Sequence, residues 1–109
     1  MDKTFSALAH EARRTLLDAL YQKNGQTLTE LCMGLDMSRQ AASKHLAILE
    51  EAELVVTAWK GREKLHYLNP VPLQAIYERW IRKFEGRRLE AILGLKNQLE
   101  TEQEKSDGE

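Results

Sequence analysis

Residues 38 to 49 constrain the fold of this chain more than any other stretch, because they predict one helix with two chemically different faces. Ser38 is suited to the N-cap position, where a hydroxyl accepts a hydrogen bond from a backbone N–H of the first turn. Apolar residues recur at helical spacing and predict a face packed on a core: Ala42, Leu46 and Leu49. The opposite face is small and polar, so an amphipathic helix with a short-chained outer surface is predicted here.

This outer surface has the properties that a DNA major groove requires. Short side chains let a helix approach the groove floor, and longer polar ones carry donors for base edges and phosphates. The candidate contacts are Ser38, Arg39, Gln40, Ser43, Lys44 and His45. A merely solvated helix face is the competing interpretation. For His45, which adjoins the inward-facing Leu46, a structural hydrogen bond is the alternative to a nucleic-acid contact.

The residues just before this helix complete a helix-turn-helix pattern. Residues 29 to 35 form a short helix-like segment in which Leu31 and Leu35 lie four positions apart, and Gly34 near its end suits a turn. A short helix, a turn of three to four residues and a longer helix with a polar outer face are the parts of this DNA-binding motif. The recognition helix is predicted to span residues 38 to 51.

The residues after this helix predict a β-hairpin over residues 54 to 68. The first strand is rich in β-branched and aromatic residues, the second alternates polar and apolar residues, and Gly61 lies between them. A hairpin directly after a helix-turn-helix is a wing. Basic residues at its tip are candidate contacts to phosphates or to a minor groove, with a solvated turn as the alternative: Lys60, Arg62 and Lys64.

The stretch from Val71 to Leu99 predicts one long amphipathic helix, weakened locally at Gly86 and Gly94. A helix of about 40 Å cannot bury its whole apolar stripe on so small a core, so we expect it to meet a second copy of the chain. Aromatic residues concentrate at interface centres. The candidate interface residues of this helix are Ile76, Tyr77, Trp80 and Phe84, with packing in the monomer core as the alternative for Tyr77 and Trp80.

The formal net charge of −1 is unusual for a DNA-binding chain, but the acidic residues are unevenly distributed along the sequence. Residues 100 to 109 hold five acids and one lysine, so the rest of the chain carries a net charge of +3. We expect residues 1 to 99 to form one DNA-binding and dimerisation domain and residues 100 to 109 to be an acidic, disordered tail. The 42% of hydrophobic residues suffices for a modest core that a dimer would enlarge.

Other classes of protein find little support in the sequence. No signal peptide or membrane-length apolar run occurs, so a cytoplasmic protein without a membrane partner is expected. A single cysteine excludes an intrachain disulfide framework. Nucleophile-elbow, P-loop and dinucleotide-binding motifs are missing, and we therefore expect no enzyme, no catalytic residues and no cofactor.

The chain resembles the ArsR/SmtB family of bacterial winged-helix repressors over about residues 4 to 69. The resemblance is carried by residues 7 to 14, Leu31-Cys32, residues 38 to 55 and Gly61-Arg62, most specifically by the pattern Ser-x-His-Leu-x-x-Leu that begins at Ser43. It implies a mainly α (α+β) winged helix-turn-helix fold with a hairpin wing and a long C-terminal dimerisation helix. It also implies a homodimeric repressor that binds an inverted repeat, with the first helix in the dimer interface, which adds Phe5 and Leu8 as candidates.

This chain departs from the metal-sensing members that it resembles. Those members carry two cysteines on the short helix, or aspartate and histidine ligands on the last one, whereas here Cys32 lacks a second thiol and residues 71 to 99 hold neither ligand type. The remaining potential ligands are scattered: His10, His45 and His66. We therefore expect the non-metal-sensing subset, with no metal and with an unknown small molecule as one candidate effector. The alternative functions are a winged helix that binds another protein, or a metal- or thiol-responsive repressor that uses Cys32.

Overall fold

The computed structural model describes residues 1–84 and 87–107. Two short strands follow the fourth helix and form an antiparallel hairpin, β1 (Val55–Lys60) and β2 (Glu63–Leu68). The described helices are α1 (Asp2–Leu8), α2 (Glu11–Gln22), α3 (Leu28–Leu35), α4 (Arg39–Glu51), α5 (Val71–Trp80) and α6 (Arg87–Asp107). This order confirms the predicted winged helix-turn-helix, with α3 and α4 as the helix pair and the hairpin as the wing. The chain divides into one unit, Met1–Ala75, and a second that begins at Ile76.

The core of the first unit is built mainly from leucines of the first four helices and the start of the wing. The predicted inward face of α4 is confirmed, since Ala42, Leu46 and Leu49 are all buried. They pack with residues contributed by the neighbouring elements: Ala7, Leu16, Leu17, Leu20, Leu31, Leu54 and Val55. Removing apolar surface from water is the main force that holds such a small unit together. One face of α4 is thereby fixed inward, which leaves the opposite face to solvent.

Side chains cap both helices of the helix-turn-helix. Thr27 and Glu30 form a reciprocal capping box at the start of α3. The Ser38 hydroxyl accepts a hydrogen bond from the Ala41 backbone N–H at 3.1 Å, which confirms the predicted N-cap of α4. Gly34, which we expected to serve the turn, lies inside α3, and Asp36 adopts the left-handed conformation at φ 50° instead. Aspartate enters that region more readily than most residues, because its short side chain can bond to the backbone nearby.

Two arginines of α2 hold the end of α1. Arg13 Nε donates to the Ala7 carbonyl at 2.9 Å, and Arg14 Nη1 donates to the Leu8 carbonyl at 2.6 Å. A helix leaves its last carbonyls without intrahelical partners, and cationic donors at that end also interact favourably with the helix dipole. The first two helices are thus joined by charged hydrogen bonds in addition to apolar contacts.

The wing is bound to the helical part through a short backbone bridge. His66 of β2 donates its backbone N–H to the Gln26 carbonyl at 2.8 Å, and its own carbonyl accepts from Gly25 and Gln26. Gly25 has φ 78°, and a Cβ at this position would lie 3.0 Å from the Tyr67 ring. Glycine therefore meets both the backbone and the space requirement of this contact. The bridge fixes the root of the wing beside α3.

The C-terminal region departs from the single long helix predicted over residues 71 to 99. Helix α5 ends at Trp80 and a 3-10 turn follows over Arg82–Phe84, in which the Phe84 N–H donates to the Ile81 carbonyl at 2.8 Å. A bond spanning three residues tightens the backbone and ends the regular helix. Gly86, where we expected a weak point, lies outside the described residues.

Helix α6 also extends further than predicted. It continues to Asp107, so residues 100 to 107 are helical where we expected disorder. The last two residues of the predicted tail, 108 and 109, lie outside the described residues. Glutamate, glutamine and lysine have good helix propensity, and Lys96 pairs with Glu100 one turn later at 3.9 Å. Local propensity thus accounts for a helix that an acidic composition alone did not predict. Within the described residues, no helix combines the length and the apolar character that crossing a membrane requires.

Candidate nucleic-acid interface

The outer face of α4, defined here as Arg39, Gln40, Ser43 and Lys44, is exposed to solvent along its length. It lies opposite the buried Ala42, Leu46 and Leu49, as the helical spacing predicted. Among the described residues, the Gln40, Ser43 and Lys44 side chains make no hydrogen bond or salt bridge. Amide, hydroxyl and ammonium donors are therefore presented together on one accessible surface.

The N-terminal end of α4 is more constrained. The Ser38 hydroxyl is engaged in the cap, and Arg39 Nη1 donates to the Thr29 hydroxyl of α3 at 2.7 Å. A guanidinium has five N–H donors, so most of those of Arg39 stay available. The bond to Thr29 orients the Arg39 side chain and links the two helices of the motif at their exposed edge.

His45 is not grouped with the outer face of α4. Its ring is half-buried and lies against His10 at the start of α2, with 4.7 Å between the ring centroids and 49° between the planes. The Nδ1 atom is buried and has no hydrogen-bond partner among the described residues, so the structural hydrogen bond considered for this residue is not seen at that atom. Burial lowers the pKa of His45, and the charges of His10, Arg13 and Lys44 lower it further. Burial against α2 therefore favours the neutral form of this imidazole, which lies midway along α4.

We expect this histidine to make the fold less stable in mild acid. Its pKa in the folded chain lies below the ordinary 6.5, so the unfolded chain binds the proton more tightly. Its contribution to the free energy of unfolding is complete above about pH 6.5 and is lost as the pH falls toward the folded pKa. Urea unfolding between pH 7.5 and 5.0 should show a decline that is smaller in His45→Gln.

A second variant separates the effect of burial on the pKa of His45 from the effect of the neighbouring charge. His10→Asn keeps an acceptor at the N-cap of α2 but removes the neighbouring ring charge, so it should reduce the decline only in part, because burial is the larger cause. The carboxylate of Glu30, whose pKa is lowered by its hydrogen bonds, titrates below this pH window and does not interfere. If the free energy of unfolding declines equally in wild type and His45→Gln, His45 is not the source of the acid sensitivity.

The strand register decides which wing side chains face α4. Trp59 is paired with Lys64 and Thr57 with His66, whereas Lys60 is paired with Glu63 on the other face. Because His66 is buried, Trp59 and Lys64 lie on the face of the wing that is directed at the helices. Arg62 lies at the exposed tip. The three predicted basic residues of the wing are thus divided between its two faces and its tip.

One of these basic residues is engaged within the chain. Lys64 Nζ lies 3.5 Å from a carboxylate oxygen of Glu50 on α4. This pair joins the wing to the recognition helix and offsets much of the charge of Lys64, so that Lys60 and Arg62 carry most of the positive charge of the wing. The polar and apolar alternation of this strand did not indicate such a pair, because the position of Glu50 opposite Lys64 depends on how the wing packs.

A groove of about 640 Å³, called here the wing groove, lies between α4 and the hairpin. It brings together four of the predicted contact residues with one that sequence reasoning missed, Trp59, whose side chain is 70% exposed. The spacing of Trp59 from the buried Val55 on the same strand face is the signal that would have indicated it. The residues that define the groove for the following argument are Arg39, Ser43, Glu50, Trp59, Arg62 and Lys64.

The predicted dimer residues have different exposures. In the first unit, Phe5 is 44% exposed, whereas Leu8 is half-buried against the core. In the second unit, Trp80 is 46% exposed and contacts the Arg79 guanidinium at 5.1 Å from its ring centroid. The remaining candidates in that unit are half-buried: Ile76, Tyr77 and Phe84. The structure thus leaves apolar surface of both units in contact with solvent.

Cys32 lies on α3 with its thiol free and buried. Across residues 1–84 and 87–107, no three side chains of the histidine, cysteine or carboxylate type converge in a way that could hold a metal ion. A buried thiol of this kind commonly acts as a small apolar side chain.

Comparison with known proteins gives consistent matches. A family described as a helix-turn-helix domain matches residues 8–58. The chain is 38% identical over 86 residues to the uncharacterized HTH-type transcriptional regulator YuzN of Bacillus subtilis, covering 73% of this chain and 94% of that protein. It is 31% identical over 93 residues to the arsenical resistance operon repressor of Escherichia coli, covering 82% and 78%. The solved structure of an ArsR-like transcriptional regulator from Rhodococcus sp. RHA1 is similar with a TM-score of 0.67 and 32% identity, covering 86% and 90%.

Proposed function

This chain belongs to the ArsR/SmtB family of winged helix-turn-helix transcriptional repressors, and on that premise we propose that it binds an inverted-repeat operator as a homodimer. The observation that carries the proposal is the outer face of α4, on which Gln40, Ser43 and Lys44 have no hydrogen-bond or salt-bridge partner among the described residues, beside a basic wing tip. A helix with this surface fits a major groove, and a hairpin beside it reaches the adjacent backbone.

The outer face of α4 supplies the sequence-reading contacts in this proposal. Gln40 and Lys44 lie one helical turn apart, and their side chains are long enough to reach base edges, with glutamine suited to adenine and lysine to guanine. Ser43 contributes a short donor between them. Arg39, held by Thr29, reaches a base or a phosphate near the start of the helix, and Ser38 contributes through the cap that fixes this end.

The wing and His45 have supporting roles. Lys60 and Arg62 bind phosphates or enter the neighbouring minor groove, and their contribution falls steeply with salt. Lys64 contributes less, because Glu50 already neutralises much of its charge. We assign His45 to the support of α4 against α2 in place of a direct DNA contact, because its ring is half-buried against His10.

The dimer is supported by apolar surface that a single chain leaves in water. On α6, exposed apolar residues recur at helical spacing and form a stripe along one side: Ile92, Leu95 and Leu99. Trp80 of α5 and, in the first unit, Phe5 of α1 are also exposed. A twofold dimer covers such surfaces with the same surfaces of the partner, and it duplicates the recognition helix for the two halves of an inverted repeat.

Selection from a pool of random duplexes tests the proposal without knowledge of the operator. We expect enriched sequences to contain two inverted half-sites with centres about 10 base pairs apart, bound by two chains. A control selection with the protein unfolded in urea should enrich nothing. If the folded wild type enriches no sequence, operator binding is contradicted and a winged helix that binds another protein becomes the better interpretation.

A further inference from the structure

Trp59 is an exposed aromatic residue at a position where the wing continues beyond the core. It lies on the same strand face as Val55, which is 1% exposed, yet its own side chain is 70% exposed. The strand therefore directs the indole into the wing groove, where most of its surface stays in contact with solvent. Tryptophan is the largest apolar side chain, and leaving most of it in water forgoes much of the free energy that its burial would supply.

The surroundings of Trp59 indicate the chemistry of what covers it. The wing groove is continuous with the outer face of α4 through Arg39 and Ser43, which line both. Three acids also line the groove, of which two are paired, Glu50 with Lys64 at 3.5 Å and Glu30 with Lys23 at 3.2 Å; the third is Glu63. The guanidinium groups of Arg39 and Arg62 outnumber the remaining carboxylate of Glu63, so the groove favours an anionic ligand with apolar parts over a purely apolar peptide.

We infer that Trp59 is a DNA contact of the wing, whose indole packs on a deoxyribose ring and on the adjoining base edge beside the half-site read by α4. Sugar rings and thymine methyl groups offer apolar surface, and the indole N–H can donate to a neighbouring phosphate. Arg62 and Arg39 hold the backbone on either side of that contact. The inference rests on the proposed operator binding and adds to it an apolar DNA contact next to the recognition helix.

The protein's two tryptophans allow a direct test. In Trp80→Phe, Trp59 is the single indole fluorophore, and in Trp59→Phe it is Trp80. With the selected operator at saturation, we expect strong quenching of Trp59 and a far smaller change of Trp80. Operator affinity should fall roughly tenfold in Trp59→Ala and recover in part in Trp59→Phe. Tyr21→Ala, which removes another aromatic side chain that is 76% exposed, is the matched control and should bind as wild type does.

The outcomes separate this inference from the proposed function. If wild type binds the operator, but Trp59 emission stays unchanged and Trp59→Ala binds as tightly as wild type, the Trp59 contact is overturned while operator binding stands. If wild type itself shows no preference for any duplex, the proposed function fails first. Circular dichroism of Trp59→Ala excludes loss of fold as the cause, and an affinity loss without quenching in the Trp59-only protein would also contradict a direct contact.

Discussion

Replacing Gln40 and Lys44 together with alanine is expected to abolish the preference of this protein for its operator over random duplex while leaving the fold intact. Both side chains are exposed on α4 and make no hydrogen bond or salt bridge among the described residues, and alanine favours helix. A good base contact contributes about 1–3 kcal/mol of discrimination, and a dimer loses each contact twice. The expected loss in specificity is therefore on the order of a thousandfold or more.

A control variant that loses the same two residue types elsewhere shows how much of the effect on DNA binding comes from the lost positive charge alone. Gln22→Ala with Lys3→Ala deletes the same two residue types from exposed positions outside α4, and Lys3 gives up only a surface pair with Glu51. Fluorescence anisotropy titrations with operator and random duplexes, at two salt concentrations, should show an unchanged specificity ratio for the control. If the Gln40 and Lys44 double variant also keeps the wild-type ratio, the outer face of α4 does not read sequence.

The parts of this molecule that the sequence predicted are those that depend on short-range patterns. The inward face of α4 follows from the spacing of Ala42, Leu46 and Leu49, and its start follows from the capping chemistry of Ser38. The hairpin follows from strand alternation on either side of Gly61, whose φ is 62°. In each case the residues that decide the structure lie within a few positions of one another, so a linear pattern contains the information.

The features that the sequence did not predict depend on packing between distant segments. His45 lies against His10, which is 35 positions earlier, and no local rule places one ring under the other. Lys64 was predicted to contact DNA, and its pairing with Glu50 was not foreseen because the two meet only when the wing lies beside α4. Trp59 resembled an ordinary strand residue until its exposure beside the recognition helix was known. The partners of the charged and aromatic side chains at the interface could therefore be identified only from the structure.

The end of α5 shows that apolar periodicity does not predict where a helix is interrupted. The apolar spacing from Val71 onward continues past Trp80, and helical periodicity alone therefore predicts no interruption. The backbone instead closes a tighter turn at Arg82–Phe84, and a second helix begins at Arg87. Periodicity reports which residues share a face, but it does not report whether the backbone between two such stretches is continuous. The helix boundaries in this region could therefore not be predicted from the sequence, although the amphipathic character was.

Trp80→Glu is expected to convert the protein to a monomer and to weaken operator binding in the same step. Trp80 is 46% exposed in the single chain, and in the proposed dimer its ring is covered by the partner. A carboxylate at this position would lose its hydration in the interface without gaining an oppositely charged partner, which costs several kcal/mol per subunit. Sedimentation equilibrium across a range of concentrations should therefore show the mass of one chain, and operator affinity should fall about a hundredfold or more.

Duplex length distinguishes loss of the dimer from damage to the DNA-binding surface. On a duplex that contains one half-site, the Trp80→Glu monomer should bind as tightly as a wild-type subunit, because the outer face of α4 lies in the other unit and is unchanged. On the full inverted repeat, wild type gains the free energy of the second half-site and the monomer does not. Tyr21→Glu, a charge placed at an exposed aromatic position of α2, should stay dimeric and bind both duplexes normally. A dimeric mass for Trp80→Glu would place this side chain outside the interface, whereas a monomer that fails on the half-site would show that the substitution reaches the recognition helix itself.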